Sequence, residues 1–147
     1  MRSFTTGSGM EPTDRAGSSP YPYATHLNVL FGALEKIELD PLVSAVRDQW
    51  YNQTLARVND SVVRLGVMQG EYHWHQHDDD DEFFYVVEGR FLIDLEPAAD
   101  GTTPGRVVEL TPRQGFVVPK GVVHRTRAPE RSVILMIETA AIVPTGS

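Results

Sequence analysis

The shortness of the apolar runs between Thr54 and Glu138 most constrains the fold of this chain. Each run spans only a few residues, and turn-forming residues such as Gly, Pro and Asp separate it from the next. Several short strands at this spacing are typical of a β-barrel or β-sandwich rather than of alternating strands and helices. We therefore expect an all-β domain in this region.

Eight strands are expected in the domain. They are Ser61–Val67, Glu71–His77, Glu82–Val87, Phe91–Leu95, Arg106–Leu110, Phe116–Val118, Val122–Thr126 and Ser132–Glu138. The turns between them lie at Gly70, Asp78–Asp81, Gly89, Pro97–Gly105, Pro112–Gly115, Lys120–Gly121 and Pro129. A chain of 147 residues has the usual length of one compact domain, so we expect a single barrel over residues 54–147.

The residues before the barrel divide into two parts. Fourteen of residues 1–25 are Gly, Ser, Thr or Pro, so we expect a flexible arm, anchored at its end by Tyr21 and Tyr23. Residues 26–53 are expected to form a helical segment that packs on the barrel. Helical spacing is seen at Leu27, Leu30, Phe31 and Leu34. A second short helix should begin with Asp40 as N-cap and Pro41 in its first turn, and present Val43, Val46 and Trp50.

Composition excludes several classes of function. Twenty acidic residues against 13 basic ones give a net charge of -7, which disfavours nucleic acid as a partner. The absence of cysteine excludes disulfides and thiolate metal ligands. No apolar run approaches the roughly 18–20 residues of a membrane helix, and no secretory signal opens the chain. We therefore expect a cytoplasmic protein that contacts no membrane.

Histidines at alternate positions of one predicted strand carry the main functional signal. Because strand side chains alternate between faces, the strand Glu71–His77 should present on one face His73, His75 and His77. The opposite face should present Tyr72, Trp74 and Gln76. A turn through Asp78–Asp81 can return the next strand alongside and bring Glu82 to the histidine face, and a fourth histidine, His124, follows further along the chain.

Imidazoles combined with a carboxylate suit one divalent transition metal, such as Mn, Fe, Co, Ni or Zn, better than Mg or Ca. The simpler interpretation is that these histidines are polar residues on a solvated strand. We favour a metal, because polar groups on the inner face of a barrel are costly to bury without a partner. The aspartates at 78–81 lack the spaced oxygen ligands and the glycine of a calcium loop, and are interpreted as a solvated turn.

Two motifs in the chain resemble those of small single-domain cupins, a group that includes the mannose-6-phosphate isomerase-like cupins. The first motif has two histidines separated by one residue, a glutamate, six further residues and a glycine, and is matched by His75, His77, Glu82 and Gly89. The second has proline, glycine and histidine, and is matched by Pro119, Gly121 and His124. The resemblance spans about residues 60–140, and the chain departs from the usual pattern at Gln69, Arg113 and Ala128.

The resemblance implies a double-stranded β-helix, or jelly-roll barrel, with a metal inside it. It implies four metal ligands, His75, His77, Glu82 and His124. Such a ligand set on an octahedral ion leaves two positions open for a small oxygenated metabolite or for O₂. Oxygenase chemistry and isomerase or lyase chemistry both remain open, and so does a non-catalytic barrel that binds metal or a small molecule.

Further residues are interpreted by their position in the predicted strands. His73 shares the metal-facing side and is a candidate general acid/base, or alternatively a structural histidine at the barrel mouth. Arg125 and Arg127 have the opposite parity to His124 and are expected at the surface. The strand Glu82–Val87 is apolar on both faces, so we expect the N-terminal helices or a second subunit, in a homodimer, to cover the outside.

Overall fold

The computed structural model describes residues 23–146 and shows an all-β barrel with one short helix. The helix α1 is Leu39–Ala45. The strands are β1 Ala24–His26, β2 Trp50–Val58, β3 Ser61–Glu71, β4 Glu82–Glu88, β5 Phe91–Leu95, β6 Arg106–Leu110, β7 Gly115–Val118 and β8 His124–Thr139. The all-β jelly-roll fold expected from the sequence is confirmed. The expected arm at residues 1–25, with Tyr21, lies largely outside the described residues.

The longest strand, β8, joins the two halves of the barrel. Its first residues pair with β5, which in turn pairs with β6. Its remaining residues pair with β3 on one side and β4 on the other, and the sheet order is β1-β2-β3-β8-β4-β7. All of these pairings are antiparallel except that between β1 and β2. The start and the end of β8 therefore belong to different halves of the barrel.

The prediction of two separate strands at Val122–Thr126 and Ser132–Glu138 was wrong, since both contribute to β8. The intervening Pro129 does not end the strand. The register between β3 and β8 jumps from Gly70 opposite Ala128 to Met68 opposite Ser132, so Pro129 lies in a bulge. A bulged residue makes no ladder hydrogen bond, and the missing N–H of proline costs nothing there.

The main sheet buries a different set of side chains on each face. The inner face contributes to the larger core, which includes Trp50, Met68, Phe84, Val86, Ile134 and Met136. The outer face buries Leu55, Leu65, Val67 and Val133 beneath the N-terminal segment. This segment covers the sheet with α1 and with Phe31.

The helical content of residues 26–53 was overestimated. No helix forms at residues 27–34; instead, the backbone N–H groups of Leu30 and Phe31 donate to the carbonyls of Thr54 and Leu55. The second helix exists, but it begins two residues earlier, with Glu38 as N-cap and Asp40 inside the first turn. Trp50 is not on that helix.

Trp50 instead opens β2, so strand structure starts before residue 54. The β-branched and aromatic side chains of β2 pack on both faces of the sheet, which overrides the helical spacing read from the sequence.

Part of the outer face remains exposed around Val117 and Ile137, beside the half-buried rings of Phe83 and Tyr85. The expected homodimer stays a prediction. Within residues 23–146, no helix is both long enough and apolar enough to cross a membrane.

Gly89, which closes the turn between β4 and β5, is predicted to be intolerant of a side chain. Its φ is +91°, and an added Cβ would lie 2.7 Å from Cα and Cβ of Ser132. The hydroxyl of Ser132 is fixed there, because it accepts from the N–H of Arg90 and donates to a backbone carbonyl. We expect Gly89→Ala to lower the free energy of unfolding by about 2–4 kcal/mol, measured by urea titration.

Gly101→Ala is the matched control for this prediction. Gly101 also has a positive φ, +78°, but no atom of the described residues lies within 4 Å of the place that its Cβ would take. Only the backbone cost of roughly 1–2 kcal/mol therefore applies. Equal losses of stability for the two variants would show that the contact with Ser132 is unimportant.

Candidate metal centre

The four predicted metal ligands converge in the interior of the barrel. Glu82 is the first residue of β4 and His124 is the first of β8, whereas His75 and His77 lie in the connection between β3 and β4. One ligand atom from each of the four side chains can be chosen so that all lie within 4.8 Å of one another. The structure therefore brings together residues from two motifs that are well separated in the sequence.

A β-bridge between His75 and His124 aligns the two motifs. The N–H of His75 donates to the carbonyl of His124 at 2.9 Å, and the N–H of His124 donates to the carbonyl of His75 at 2.8 Å. The rings then lie 4.3 Å apart, centroid to centroid. The N–H of Gly121 adds a third link, to the carbonyl of His77 at 2.8 Å. Backbone pairing thus fixes the distance between ligands from different motifs.

The tautomers of two histidines are set by backbone carbonyls. Nδ1 of His75 lies 3.0 Å from the carbonyl of His73, and Nδ1 of His124 lies 2.9 Å from the carbonyl of Val122. A carbonyl oxygen can only accept, so Nδ1 carries the proton in each ring and Nε2 carries the lone pair. This hydrogen-bonding pattern is the one that supports histidine as a metal ligand.

Ring nitrogens of two histidines approach one oxygen of Glu82. Nε2 of His124 lies 3.3 Å from Oε1 of Glu82, and Nε2 of His77 lies 3.4 Å from the same oxygen. Neither ring nitrogen of His77 makes a hydrogen bond of good geometry with a described residue, although His77 is buried. Three imidazoles and one carboxylate at this spacing are ligand types that could hold a divalent transition metal.

The pKa values keep these groups in the forms that bind metal. Burial, followed by the neighbouring His124, lowers the pKa of His75 to about 3, so its ring is neutral near pH 7. Burial alone would raise the pKa of Glu82, but contacts with His124 and His77 outweigh burial and hold that pKa below the usual value. Neutral imidazole and ionised carboxylate are the ligand forms required.

A second buried carboxylate, Glu138, adjoins the first and was missed by the sequence analysis. It makes a side-chain contact with Glu82, and its Oε2 lies 3.0 Å from Nε of Arg64. Burial and the charge of Glu82 raise the pKa of Glu138 well above the usual value. One signal in the sequence could have revealed Arg64, a charged residue with the parity of Val62 and Met68 in an otherwise apolar strand.

The predicted strand Glu71–His77 is interrupted, and this changes two interpretations. β3 ends at Glu71, so alternation does not continue through the histidines. Tyr72 was expected to face away from His75, but it is buried and both residues line one cavity. Trp74 is exposed, and the guanidinium of Arg125 lies over its ring at 4.9 Å.

His73 is buried beside the four-residue cluster but is not part of it. Its ring lies 5.2 Å from that of His75, and its Nε2–H donates to the carbonyl of Thr145 at 2.8 Å. Its Nδ1 has no hydrogen-bond partner among the residues that the structure describes. The hydroxyl of Tyr72 reaches the carbonyl of Pro144 at 3.4 Å, so these two side chains hold the C-terminal segment against the mouth of the cavity. The catalytic role of His73 stays a prediction.

The aspartates at 78–81 form the turn before β4. Oδ1 of Asp81 accepts from the N–H of Lys120 at 2.9 Å, and Oδ1 of Asp80 accepts from the hydroxyl of Thr139 at 2.5 Å. These contacts pin the turn to neighbouring segments. Arg125 and Arg127 lie outside the metal cluster, as expected, and both bind the carboxylate of Asp94.

The cupin domain, as described by a protein-family model, matches residues 61–138 of this chain. The chain belongs to the cupin family. The matched range contains all four residues of the cluster. The resemblance stated from the two motifs is therefore confirmed, and so is the jelly-roll fold that it implied.

Two relatives of this cupin have descriptions that state no reaction. An uncharacterized protein, YdbB of Bacillus subtilis (strain 168), is 39% identical over 97 residues, which cover 66% of this chain and 80% of the relative. A solved cupin-2 domain protein from Shewanella frigidimarina is 31% identical, with a TM-score of 0.62 over 70% of this chain and 93% of the other. These relatives support the family and leave the reaction open.

A more distant likeness shows the fold alone. The hydroquinone 1,2-dioxygenase of Sphingomonas sp. TTNP3 is 17% identical, with a TM-score of 0.62 over 74% of this chain and 33% of that enzyme. Some proteins with this fold are therefore dioxygenases.

The lowered pKa of His75 predicts that acid destabilises the metal-free protein. Unfolded histidine takes up a proton near pH 6.5, whereas folded His75 does so near pH 3. Between these two pH values the unfolded state binds more protons than the folded state. Because of His75, the free energy of unfolding is therefore highest above pH 6.5 and decreases as the pH falls toward 3. We expect the metal-free wild type to lose more stability between pH 7 and 5 than His75→Gln, measured by urea titration.

His75→Gln serves as the control because Glu138 changes the stability of both proteins with pH in the direction opposite to His75. The raised pKa of Glu138 makes the folded state bind the extra proton above pH 4.5, which favours folding at lower pH in both proteins. Parallel stability curves for the wild type and His75→Gln would contradict the lowered pKa of His75.

Proposed function

We propose that this cupin is a metal-dependent enzyme acting on a small oxygenated metabolite, by oxygenase or by isomerase or lyase chemistry. The observation that carries the proposal is the buried cluster of His75, His77, Glu82 and His124, with its converging lone pairs. Such a cluster binds Fe, Mn, Ni, Co or Zn. A bound ion of this kind supplies a Lewis acid that stabilises negative charge on oxygen or, as iron, a site for dioxygen.

The residues around the cluster contribute binding and exclusion of water. One cavity touches His75 and Glu82 and is walled by Trp50, Tyr72 and Phe84. Aromatic walls at a charged centre lower the local dielectric and strengthen electrostatic interactions with a ligand. The ring of His73 stacks on that of Tyr72, with centroids 4.3 Å apart, so a catalytic role for His73 would require its ring to reach the cavity past Tyr72.

Metal content tests the proposal directly. Protein purified without an affinity metal column should hold close to one equivalent of a transition metal, and His75→Ala or Glu82→Ala should hold little, as measured by elemental analysis. Metal at 100 times its Kd should raise the free energy of unfolding by about 2.7 kcal/mol. The control is His26→Ala, which removes an exposed histidine on β1 and should leave the metal content unchanged. Equal trace metal in all of these proteins would refute the site.

The second candidate is a non-catalytic barrel that binds metal or a small molecule. One observation favours it, namely that the cavity at the cluster has a volume of only about 20 Å³, close to that of a single water site. If the protein is an enzyme, the metal-loaded protein should convert at least one compound in a panel of hydroxy acids, keto acids and diols. Consumption of oxygen would distinguish the oxygenase from the isomerase. Stoichiometric metal and tight ligand binding without turnover would establish the non-catalytic barrel.

His73→Phe tests the predicted catalytic role of this histidine. If the ring moves a proton of the substrate, turnover should fall by about 100-fold or more while the metal content stays near one equivalent. Trp74→Phe, at the exposed neighbouring position, is the control and should retain full turnover. Unchanged turnover in His73→Phe would exclude the catalytic role and leave this residue with its structural contacts to Thr145 and Tyr72.

A further inference from the structure

The most unusual side chain inside the barrel is Arg64. It is 2% exposed, and Glu138 is its ion-pair partner within residues 23–146, at 3.0 Å. Neither Nε nor Nη1 makes a hydrogen bond of good geometry with any described residue. Guanidinium is always charged and is rarely buried with donors unused, so Arg64 is an exception that calls for a further partner.

Two neighbouring side chains also have a buried polar atom that makes no hydrogen bond with a described residue. Thr54 faces Arg64 across the pairing of β2 and β3, and Asn52 faces Gly66 one step further along the same face. Oγ1 of Thr54 and Oδ1 of Asn52 are buried, and no described residue gives either a hydrogen bond. The three residues Arg64, Thr54 and Asn52 form a patch of unsatisfied polar groups, here called the inner polar patch, on the wall of the barrel.

The inner polar patch adjoins the metal centre. Asn52 lines the same cavity as His75 and Glu82, and so does Glu138, which is the partner of Arg64. Glu138 also contacts Glu82 directly. Glu138 therefore contacts both the cavity of the metal centre and Arg64, and connects the two.

The charges of the loaded site do not balance. A divalent ion and Arg64 bring three positive charges, while Glu82 and Glu138 bring at most two negative ones. The interior therefore carries a net charge of at least +1, whichever form Glu138 takes. An unbalanced charge in an apolar interior is costly, and an anionic ligand removes the imbalance.

We propose that the metal centre takes a small organic carboxylate, and that Arg64 makes the site select anionic over neutral ligands. This proposal rests on the proposed function and names its ligand class. A flat carboxylate is smaller than tetrahedral phosphate or sulfate, and the cavity volume of about 20 Å³ therefore favours it. The rest of the ligand would extend past Trp50 and Tyr72, whose rings stack with centroids 5.5 Å apart, toward Pro144.

Binding of acetate and of acetamide to the zinc-loaded full chain tests the selection. The two probes have nearly the same shape and differ in charge, so their ratio of affinities, measured by calorimetry at pH 7.5, isolates the electrostatic effect. We expect acetate to bind at least 10-fold more tightly than acetamide. Arg64→Met should reduce that ratio to at most threefold, while the zinc content stays at one equivalent.

Three further variants distinguish the charge of Arg64 from its hydrogen bonding and from the effect of an arginine outside the metal cluster. Arg64→Lys retains the charge and the pairing with Glu138, and should preserve the preference for acetate. Arg64→Gln keeps a hydrogen-bond donor toward Glu138 without the charge, and replaces Arg64→Met if that variant does not fold. Arg127→Met removes an arginine bound to Asp94 outside the metal cluster and should leave the ratio unchanged.

The outcomes separate this proposal from the proposed function. Bound zinc with equal affinity for acetate and acetamide would overturn the carboxylate proposal alone. The same preference for acetate in the uncharged variants of Arg64 as in the wild type would overturn the role of Arg64. Failure of the wild type to bind zinc would overturn the proposed function, and the ligand class with it.

Discussion

The reciprocal hydrogen bonds between the backbones of His75 and His124 are the constraint on which the site depends. His75 lies in an irregular connection, and the bridge holds it opposite the start of β8. The bridge therefore sets the spacing of these two candidate ligands, while their Nδ1 atoms donate to the carbonyls of His73 and Val122, two residues before each bridge residue. Metal affinity and the pairing of this connection are therefore coupled.

The inside of the barrel is more polar than a core of this size requires. Arg64, Glu82 and Glu138 are buried together among aromatic and aliphatic side chains. Replacing such groups with apolar residues of similar volume often stabilises a protein, so their presence favours a role in binding over a role in stability. This is the expected compromise at a functional site, where local rules of packing are broken and the rest of the fold compensates.

The candidate ligands could be predicted because the spacing within each motif is local, whereas the neighbouring polar groups Glu138 and Arg64 come together only through tertiary contacts. His75, His77, Glu82 and His124 follow from two short motifs. Glu138 and Arg64 become neighbours only through the register of β3 and β8, which no motif encodes. The same limit explains the errors in structure: Tyr72 faces the cavity because β3 ends before the histidines, and Trp50 begins a strand because the sheet extends beyond the barrel expected from the sequence.

X-ray absorption spectroscopy of the zinc-loaded protein counts the imidazoles bound to the ion. We expect scattering from three histidines and one carboxylate, with nearest atoms at about 2.0–2.2 Å. A spectrum with one imidazole or none, and water or carboxylate oxygens in their place, would contradict this ligand set.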